Sequence, residues 1–247
     1  MKILISPAKG FKDSKKEATS LPPLIDKTIE LNNILKKKNI DDLKNILKVK
    51  DDIAQLNVDR FKNMKFDLKG RPAIFTYDGL QFKNMSLDDF DDEEIEFCNN
   101  NTLIMSGFYG VLRPMDSIYP HRLDFLTKFK TEEYKNLYDF WKSDIADIIL
   151  KSVNKDDVIL NLSSNEFLKS ISSYIPKNMI INCVFKVVKN DKAVVHSTAS
   201  KQARGQMLNF IVKNRITDLD EIKKFNIDGY AFNEYESDAN NYVFIKK

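Results

Sequence analysis

Short apolar runs alternate along this chain with segments of helical periodicity, and this alternation restricts the folds that the chain can adopt. Apolar runs at residues 2–6, 102–106 and 158–162 are bounded by polar or turn residues, as buried strands are. Strands that alternate with helical segments form a sheet covered by helices. The sequence therefore predicts a single α/β domain over residues 1–247, with a mixed sheet and surrounding helices.

The remaining elements are predicted from spacing and from turn residues. We expect strands at 71–77 and 242–245, and a hairpin of 179–188 with 193–196 around Lys189-Asn190-Asp191. We expect helices at 24–38, 91–100, 137–153, 166–174 and 200–215. Residues 43–61 keep helical spacing but change phase at 49–52, which predicts two short helices joined by a tight turn.

The composition is that of a globular protein. The 247 residues are 43% hydrophobic and 30% charged, which excludes a disordered chain, a collagen-like chain and a disulfide scaffold. Cys98 and Cys183 lie in apolar contexts and are expected to be buried and reduced. No apolar stretch is long enough to span a bilayer, so the sequence predicts a cytoplasmic protein without a membrane partner.

Charge is unevenly distributed along the sequence. Residues 1–70 hold 16 basic and 10 acidic groups, residues 71–150 hold 8 and 15, and residues 151–247 hold 15 and 11. Two basic regions on either side of an acidic one can build a positive cleft for an anionic partner. The alternative is that the lysines only solvate helix faces.

Several chemistries lack their usual motifs. The seven glycines form neither a G-x-G-x-x-G fingerprint nor a P-loop, so common nucleotide-binding sites are not indicated. His121 and His196 are far apart in sequence, and no Cys or His pair has metal-ligand spacing. We therefore expect no cofactor and no metal site.

Two polar segments follow predicted strands in the first half of the chain. In residues 6–10, Lys9 is either a phosphate ligand or an exposed loop lysine. Residues 106–114 contain two glycines that permit close backbone approach and end at Arg113-Pro114, with Arg122 further on. The two arginines lie in the acidic region, so they are either ligand clamps or members of ion pairs.

Two more polar segments occur in the second half. Residues 161–166, Asn-Leu-Ser-Ser-Asn-Glu, lead from a predicted strand into a helix and serve either as a helix cap or as ligand donors. Lys201 and Arg204 are one helical turn apart and share a face. Gly205 costs the helix about 1 kcal/mol relative to alanine, so a close backbone contact is expected there, with protein or with ligand.

Together these segments resemble the YaaA family of peroxide-stress-response proteins. The matching segments are MKILISPAK (1–9), SGFYGVLRPMD (106–116), NLSSNE (161–166), KQARG (201–205) and GY (229–230). They occur in the same order over the whole chain. His121 stands where a tyrosine is expected before the arginine, and residues 124–126 replace a Glu-Met-Gly pattern.

The resemblance implies a cytoplasmic protein that protects against hydrogen peroxide, limits iron-linked damage and binds double-stranded or branched DNA without reading its sequence. It also implies a YaaA-type fold with a positive cleft and a helix-hairpin-helix motif, which maps here onto residues 41–67. Such a motif holds phosphates through hairpin amides and nearby lysines. The nucleic-acid-binding residues expected are Lys9, Lys44, Lys48, Lys50, Arg113, Arg122, Lys201 and Arg204.

An enzyme is the competing hypothesis, because DNA binding alone does not require so many distinctive polar residues. If the segments converge, the arginines and Lys201 form an anion clamp, and Glu166 or Asp116 is a general acid or base acting on a nucleotide or nucleoside. The pocket residues expected are Ser6, Ser106, Tyr109, Asp116, Asn161, Ser164 and Glu166. Direct iron sequestration is a third alternative, suggested only by the family phenotype.

Overall fold

A computed structural model describes residues 1–154 and 157–246 of the chain. The strands are β1 (Lys2–Ile5), β2 (Gly10–Phe11), β3 (Arg71–Pro72), β4 (Tyr77–Asp78), β5 (Thr102–Ser106), β6 (Gly110–Leu112), β7 (Ser117–Ile118), β8 (Ile159–Leu162), β9 (Ile180–Lys189), β10 (Lys192–Val194), β11 (Tyr230–Phe232) and β12 (Asn241–Lys246). The helices are α1 (Ile25–Leu35), α2 (Ile40–Leu47), α3 (Asp51–Lys62), α4 (Ala73–Thr76), α5 (Leu80–Lys83), α6 (Asp92–Asn101), α7 (Leu137–Trp141), α8 (Asp144–Lys151), α9 (Asn165–Leu168), α10 (Ser197–Lys213) and α11 (Leu219–Ile222).

The predicted mixed sheet is confirmed. Within the described residues it has eight strands in the order β11-β12-β9-β8-β1-β5-β6, with β10 paired to part of β9. Strands β12, β9, β8, β1 and β5 run parallel, whereas β11, β6 and β10 are antiparallel to their neighbours. The apolar runs predicted as buried strands form the centre, and Ile3, Leu4 and Ile5 are fully buried.

Most predicted helices form close to their predicted limits. Helix α6 begins with a capping box, in which the Asp91 carboxylate accepts a hydrogen bond from the Glu94 amide and the Glu94 carboxylate accepts one from the Asp91 amide. Helix α10 begins three residues earlier than predicted, because His196, expected at the end of a hairpin strand, is its N-cap. It packs against β9, α5 and α6 and so brings its first turns to the sheet edge.

Helices α2 and α3 confirm the two short helices predicted around residues 49–52. Asn39 and Asp42 form a capping box at the start of α2. Lys48 ends α2 in the left-handed region, at φ 54°, where glycine is usual. The turn therefore reverses the chain in three residues without a glycine. The two helices contact each other, and Leu43, Leu47 and Phe61 are buried.

The predicted strand at 71–77 is wrong. Only Arg71–Pro72 and Tyr77–Asp78 are extended, and a single helical turn, α4, lies between them. The Thr76 hydroxyl donates to the Pro72 carbonyl at 2.8 Å and closes that turn. All four residues of α4 are buried, and a short buried run has the same apolar character in a helix as in a strand.

Two predicted helices are shorter than expected. The segment at 137–153 forms α7 and α8, because Lys142 adopts φ 45° and interrupts the helix between them. The segment at 166–174 is regular only in α9. Phe167, Ile171 and Ile175 are still buried at helical spacing, so a series of turns satisfies the same apolar pattern.

Candidate functional site

A cleft lies at the carboxyl ends of β1 and β8, where the order of strand addition reverses. From β1 the chain adds β5 on one side of the sheet and later β8 on the other. In open α/β sheets, ligands bind in the crevice outside such a switch point. The loops after β1 and β8 carry two of the polar segments singled out in the sequence, residues 6–10 and 163–166.

The first part of the cleft is a gap in the sheet, which we call the β8–β9 lobe. Strand β9 pairs with β8 as far as Asn182 and with β10 from Val187 onward. Among the described residues, no strand pairs with the four intervening residues of β9 on that side. The lobe has a volume of about 610 Å³ and is lined by Asn161, Ser163–Glu166, Leu168, Asn182–Phe185, Val195, Ser197, Ser200, Lys201, Arg204 and Asn241.

The second part, which we call the β1 lobe, has a volume of about 410 Å³. It lies between the loop after β1 and helix α5 and is lined by Ser6–Gly10, Asp78–Phe82, Asp124, Ser164, Glu166, Phe167, Lys201 and Arg204. The lobes share Ser164, Glu166, Lys201 and Arg204. The hydroxyl of Ser6 accepts a hydrogen bond from the Ser164 amide at 2.9 Å, which ties the two loops together.

Convergence in the cleft involves three of the four polar segments. Ser6 and Lys9 come from the first, Asn161, Ser164 and Glu166 from the third, and Lys201 and Arg204 from the fourth. That list brings together seven of the residues selected from the sequence. Of the four cations expected to form an anion clamp, Lys201 and Arg204 line both lobes, whereas Arg113 and Arg122 line neither.

Helix α10 is held against the cleft by its contact with helix α5. A Cβ on Gly205 would overlap the carbonyl oxygen of Gln81 and would lie 3.0 Å from the Cβ of Asn84. The close neighbour expected for Gly205 is therefore protein. This contact fixes the face of α10 that presents Lys201 and Arg204, which lie one turn apart in the first half of the helix.

Arg204 has an unsatisfied donor at the cleft. Its Nε is buried and has no hydrogen-bond partner in the described part of the chain. Burial lowers the pKa of the Arg204 guanidinium from its usual range, and the neighbouring Cys183 opposes this shift. An arginine nevertheless keeps its charge in proteins. A buried donor without a partner costs about 1–3 kcal/mol.

Lys201 is exposed at the rim, and within residues 1–154 and 157–246 neither Lys201 nor Arg204 forms an ion pair with a carboxylate. Lys9, across the β1 lobe, pairs with Asp124 at 3.1 Å. Among the described residues, the cleft thus combines one paired cation, Lys9, with two cations, Lys201 and Arg204, that have no carboxylate partner. This arrangement suits an anionic ligand.

Glu166 is the acidic group shared by both lobes. Its carboxylate accepts a hydrogen bond from the Leu126 amide at 3.3 Å. Burial first, and then the nearby negative charge of Asp124, raise the pKa of Glu166 above its usual value, while Lys9 and the backbone donors oppose the shift. Glu166 therefore keeps its proton to a higher pH than an exposed glutamate does.

A chain of amides forms one side of the β8–β9 lobe. Asn161, Asn182 and Asn241 are in register on β8, β9 and β12. Asn161 Nδ2 donates to Asn182 Oδ1 at 2.9 Å, and Asn182 Nδ2 donates to Asn241 Oδ1 at 3.1 Å. Asn241 Nδ2 in turn donates to both carboxylate oxygens of Asp238 at 3.0 Å. The chain fixes the orientation of each amide.

Sequence reasoning missed Asn182, Asn241, Gln81 and Asp124. Asn182 carried a signal, because it interrupts the apolar run Ile-Ile-Asn-Cys-Val-Phe, and a buried amide needs partners. Gln81 and Asp124 lie in segments remote in sequence from the cleft loops. Their place in the site depends on how the chain packs.

The segment at 106–114 is placed differently from the other three. Ser106 Oγ accepts hydrogen bonds from the amides of Phe108 and Tyr109, which shapes the turn between β5 and β6. A Cβ on Gly107 would overlap the Leu123 carbonyl oxygen, and Gly110 adopts φ +73° beside Trp141. The glycines therefore permit close approach of protein backbone and side chains.

Near this turn the partly exposed Arg113 forms an ion pair with buried Asp116. Arg113 Nη2 lies 2.9 Å from Asp116 Oδ1 and donates to the Leu21 carbonyl at the same distance. Asp116 also accepts from Ser20 at 2.6 Å and is fully buried, and burial raises the pKa of its carboxyl. Tyr109 is buried too, and its hydroxyl accepts the Tyr119 amide at 3.0 Å. These three residues lie outside both lobes.

A narrow extension of the cleft contains the last two of the predicted residues in this region. Ser106 and Arg122 line it together with Lys9 and Asp124. His121 lies beside them in a cage of aromatic rings and is buried. Arg122 is thus close to the β1 lobe, although it is not part of its wall.

Lys44, Lys48 and Lys50 lie on the α2–α3 turn, away from both lobes. All three are exposed, and Lys44 pairs with Asp51. The amides of Lys48 and Val49 both donate to the Lys44 carbonyl, so these hairpin amides already have partners. Asp51 and Asp52 occupy the first turn of α3. The turn therefore offers lysine charge to a phosphate, whereas its acidic residues oppose that charge.

Sequence comparison relates the chain to known proteins. The model of the family described as peroxide stress protein YaaA matches residues 1–236. The chain belongs to this family. A UPF0246 protein from Clostridioides difficile is 44% identical over 250 residues, and one from Ligilactobacillus salivarius is 40% identical over 250 residues, in both cases over 100% of each chain. A relative from Clostridium perfringens is 37% identical over 253 residues, also over 100% of each chain. The resemblance identified in the sequence is confirmed.

Two kinds of feature are absent from the described residues. Among their helices, none is long and apolar enough to cross a membrane. The same residues contain no group of three or more His, Cys, Asp or Glu side chains placed to hold a metal ion.

Proposed function

We propose that this member of the peroxide stress family acts in the cytoplasm by binding double-stranded or branched DNA without reading its sequence, through phosphate contacts at the cleft. The observation that carries the proposal is that Lys201 and Arg204 both line the two lobes and, in the described part of the chain, form no ion pair. Phosphate oxygens supply the acceptors and the charge that these groups lack. Contacts to phosphates position a protein on DNA and carry no base information.

Lys9 and Arg122 extend the cationic surface on the β1 side of the cleft. The exposed lysines of the α2–α3 turn provide a second region of positive charge at residues 41–67. The role of this turn as a helix-hairpin-helix motif is part of the proposal. Its support is the short connection between two packed helices and the charge of Lys48 and Lys50.

Limitation of iron-linked damage belongs to the same proposal. DNA held at the cleft would be shielded from the oxidants that form beside iron bound to the DNA. This shielding requires no iron site in the protein. Protection of DNA from cleavage by iron(II) and peroxide, measured at protein concentrations above and below saturation, tests that step. Protection that does not follow the fraction of DNA bound would contradict it.

Salt dependence provides the test of DNA binding. Each phosphate neutralised contributes about −0.9 to the slope of log K against log salt concentration. Lys201→Gln with Arg204→Gln should weaken binding of a short duplex and make the slope less negative by about 2. Lys36→Gln with Lys37→Gln is the matched control, because it removes the same charge from exposed positions after α1.

Duplex DNA of unrelated sequences should behave alike in this assay. Absence of binding at low salt would refute the proposal. Equal losses in the cleft variant and the control variant would show that net charge, and not the cleft, determines affinity.

A second candidate function is an enzyme that acts on a nucleotide or nucleoside, and the position of Glu166 favours it. Its carboxyl lines both lobes beside Lys201 and Arg204, and its pKa is raised. A raised pKa suits a general acid or base. Incubation with nucleotides and damaged nucleosides, followed by chromatography of products, tests this candidate. Turnover that is lost in Glu166→Gln would establish the enzyme, and absence of turnover with every nucleotide and nucleoside tested would argue against it.

A further inference from the structure

The β8–β9 lobe is a slot of limited size. Its volume of about 610 Å³ lies within the range of small-molecule sites. A paired duplex keeps its bases stacked inside the helix and cannot bring a base to the inner wall of such a slot. A nucleotide that is unpaired, or turned out of the stack, can enter.

The rim of the slot matches a phosphate group. Lys201 and Arg204 lie where the two lobes meet, next to Ser164 and the N-terminal turn of α10. Ser197 and Ser200, from that turn, also line the slot. A phosphate held here would leave the attached sugar and base on the β8–β9 side.

The amide chain matches the edge of a base. Asn161 Oδ1 accepts the Ser163 amide at 2.9 Å and the Ser163 hydroxyl at 2.6 Å, so Asn161 must direct Nδ2 toward Asn182. In the part of the chain that the structure describes, one Nδ2 hydrogen of Asn161 and one lone pair of Asn182 Oδ1 have no partner. A donor beside an acceptor is the pattern that base edges complement.

The walls offer apolar surface for the faces of a base. Leu168, Cys183 and Val195 line the slot together with Phe185. Val195 is 60% exposed although it is aliphatic, so the slot has uncovered apolar surface at its mouth. The slot thus combines cations at the rim, apolar walls and a fixed donor–acceptor pair.

We propose that the β8–β9 lobe takes one unpaired nucleotide of a DNA strand, with its phosphate at Lys201 and Arg204 and its base against Asn161 and Asn182. This inference rests on the proposed DNA binding and specifies which part of the DNA enters the cleft. Duplex regions on either side of the nucleotide remain outside the slot and contact the surrounding cations.

The test uses a duplex with a single unpaired 2-aminopurine, whose emission increases when it leaves the base stack. The readout is the environment of the base, because phosphate contacts dominate total affinity and hide the contribution of one base. At saturating protein, emission should rise by about twofold or more. The same base, paired within an intact duplex, should show a smaller rise.

Ser197→Trp and Thr198→Trp form a matched pair of variants. Both positions are exposed and adjacent in the first turn of α10, but only Ser197 lines the slot. Ser197→Trp should fill the slot and abolish the emission rise, whereas Thr198→Trp should keep it. Circular dichroism verifies folding, and Val195→Trp is a second way to fill the slot if Ser197→Trp does not fold.

The outcomes separate this inference from the proposed function. If wild-type protein binds the bulged duplex without an emission change, or if Ser197→Trp and Val195→Trp both keep the rise, the nucleotide slot is wrong and DNA binding stands. If no duplex binds at all, both proposals fail. Tight binding of deoxyadenosine 5′-monophosphate alone, at concentrations below those needed for the duplex, would show that the slot takes a free nucleotide and not a nucleotide of a DNA strand. That result would overturn the inference.

Discussion

Gly205 of α10 lies directly against the backbone carbonyl of Gln81 at the start of α5, with no room for a side chain between them. The Gln81 side chain in turn reaches the β8 end, where Nε2 donates to the Leu162 carbonyl at 3.5 Å. The helix that carries Lys201 and Arg204 is thereby positioned by backbone contact at the edge of the β1 lobe. A glycine that weakens α10 as a helix is what allows α10 to approach the cleft.

Gly205→Ala is therefore expected to destabilise the protein, although alanine favours a helix by about 1 kcal/mol. The added Cβ would overlap a backbone oxygen that cannot rotate away, so α10 must shift. We expect a net loss of about 1–3 kcal/mol in the free energy of unfolding, measured by urea denaturation. The shift should also weaken DNA binding in the fraction that stays folded.

Gly229→Ala is the control for this substitution, since the nearest atom to its Cβ is Lys246 Cγ, at an ordinary contact distance of 3.8 Å. Gly229 adopts φ +77°, so this variant loses stability through backbone strain without moving α10. Its DNA affinity should stay unchanged. Equal effects of both variants on affinity would show that α10 is not positioned by the Gly205 contact.

His121 makes stability depend on pH. The ring lies 4.8 Å from that of Phe108 and 5.0 Å from that of Tyr109, between centroids, and it is 5% exposed. Burial lowers the pKa of His121 to about 4; the bond to the Tyr119 carbonyl opposes this shift and the charge of Arg60 adds to it. The unfolded chain, with the ordinary pKa near 6.5, binds more protons between these two values.

The neutral His121 ring thus makes its full contribution to the free energy of unfolding above about pH 6.5, and this contribution is lost as the pH falls toward 4. Between pH 7 and pH 5 we expect His121 to account for a decrease of about 2 kcal/mol in the free energy of unfolding. His121→Phe should flatten the profile over that interval, measured by urea denaturation at each pH. His196→Gln removes the exposed histidine and should leave the profile as in the wild type. A wild-type slope in His121→Phe would exclude this origin.

The sheet could be predicted from sequence because each central strand is a short apolar run. Ile3, Leu4 and Ile5 carry that signal by themselves, and burial in the centre of the sheet agrees with it. At residues 73–76 an equally apolar run forms a helical turn, and only its neighbours distinguish the two structures. Lys142 shows a second limit, because the sequence around it does not predict its positive φ.

The candidate site was predictable in its components and less so in its arrangement. Lys201 and Arg204 stand out because their spacing puts them on one helix face next to an unexpected glycine. Arg113 has equally distinctive surroundings in the sequence, yet it pairs with buried Asp116. The gap along β9 lies between the end of its pairing with β8 and the start of its pairing with β10. No local sequence pattern encodes where these two pairings stop.

Lys48→Gln with Lys50→Gln tests the α2–α3 turn as a DNA contact. If both lysines contact phosphates, affinity should fall by similar factors for unrelated sequences, and the salt slope should become less negative by about 1 to 2. Titrations by fluorescence anisotropy at several salt concentrations measure both quantities. Asp51→Asn with Asp52→Asn, at the start of α3, should have the opposite effect and strengthen binding. If neither pair changes affinity, the turn is not part of the DNA interface.

Glu166 should make DNA binding depend on pH with a predictable sign. Because burial and Asp124 raise the pKa of Glu166, its carboxyl takes up a proton in the folded protein at a higher pH than an exposed glutamate does. Protonation removes a negative charge that faces Lys201 and Arg204 across the cleft. Affinity for a duplex is therefore expected to increase as the pH falls from 7 toward that raised pKa.

Glu166→Gln is neutral at every pH, so it should bind severalfold more tightly at pH 7 and lose this part of the pH dependence. Glu96→Gln, which removes an exposed carboxylate on α6, should keep the wild-type profile. If the Glu166→Gln profile parallels that of the wild type, the carboxyl does not titrate in contact with bound DNA.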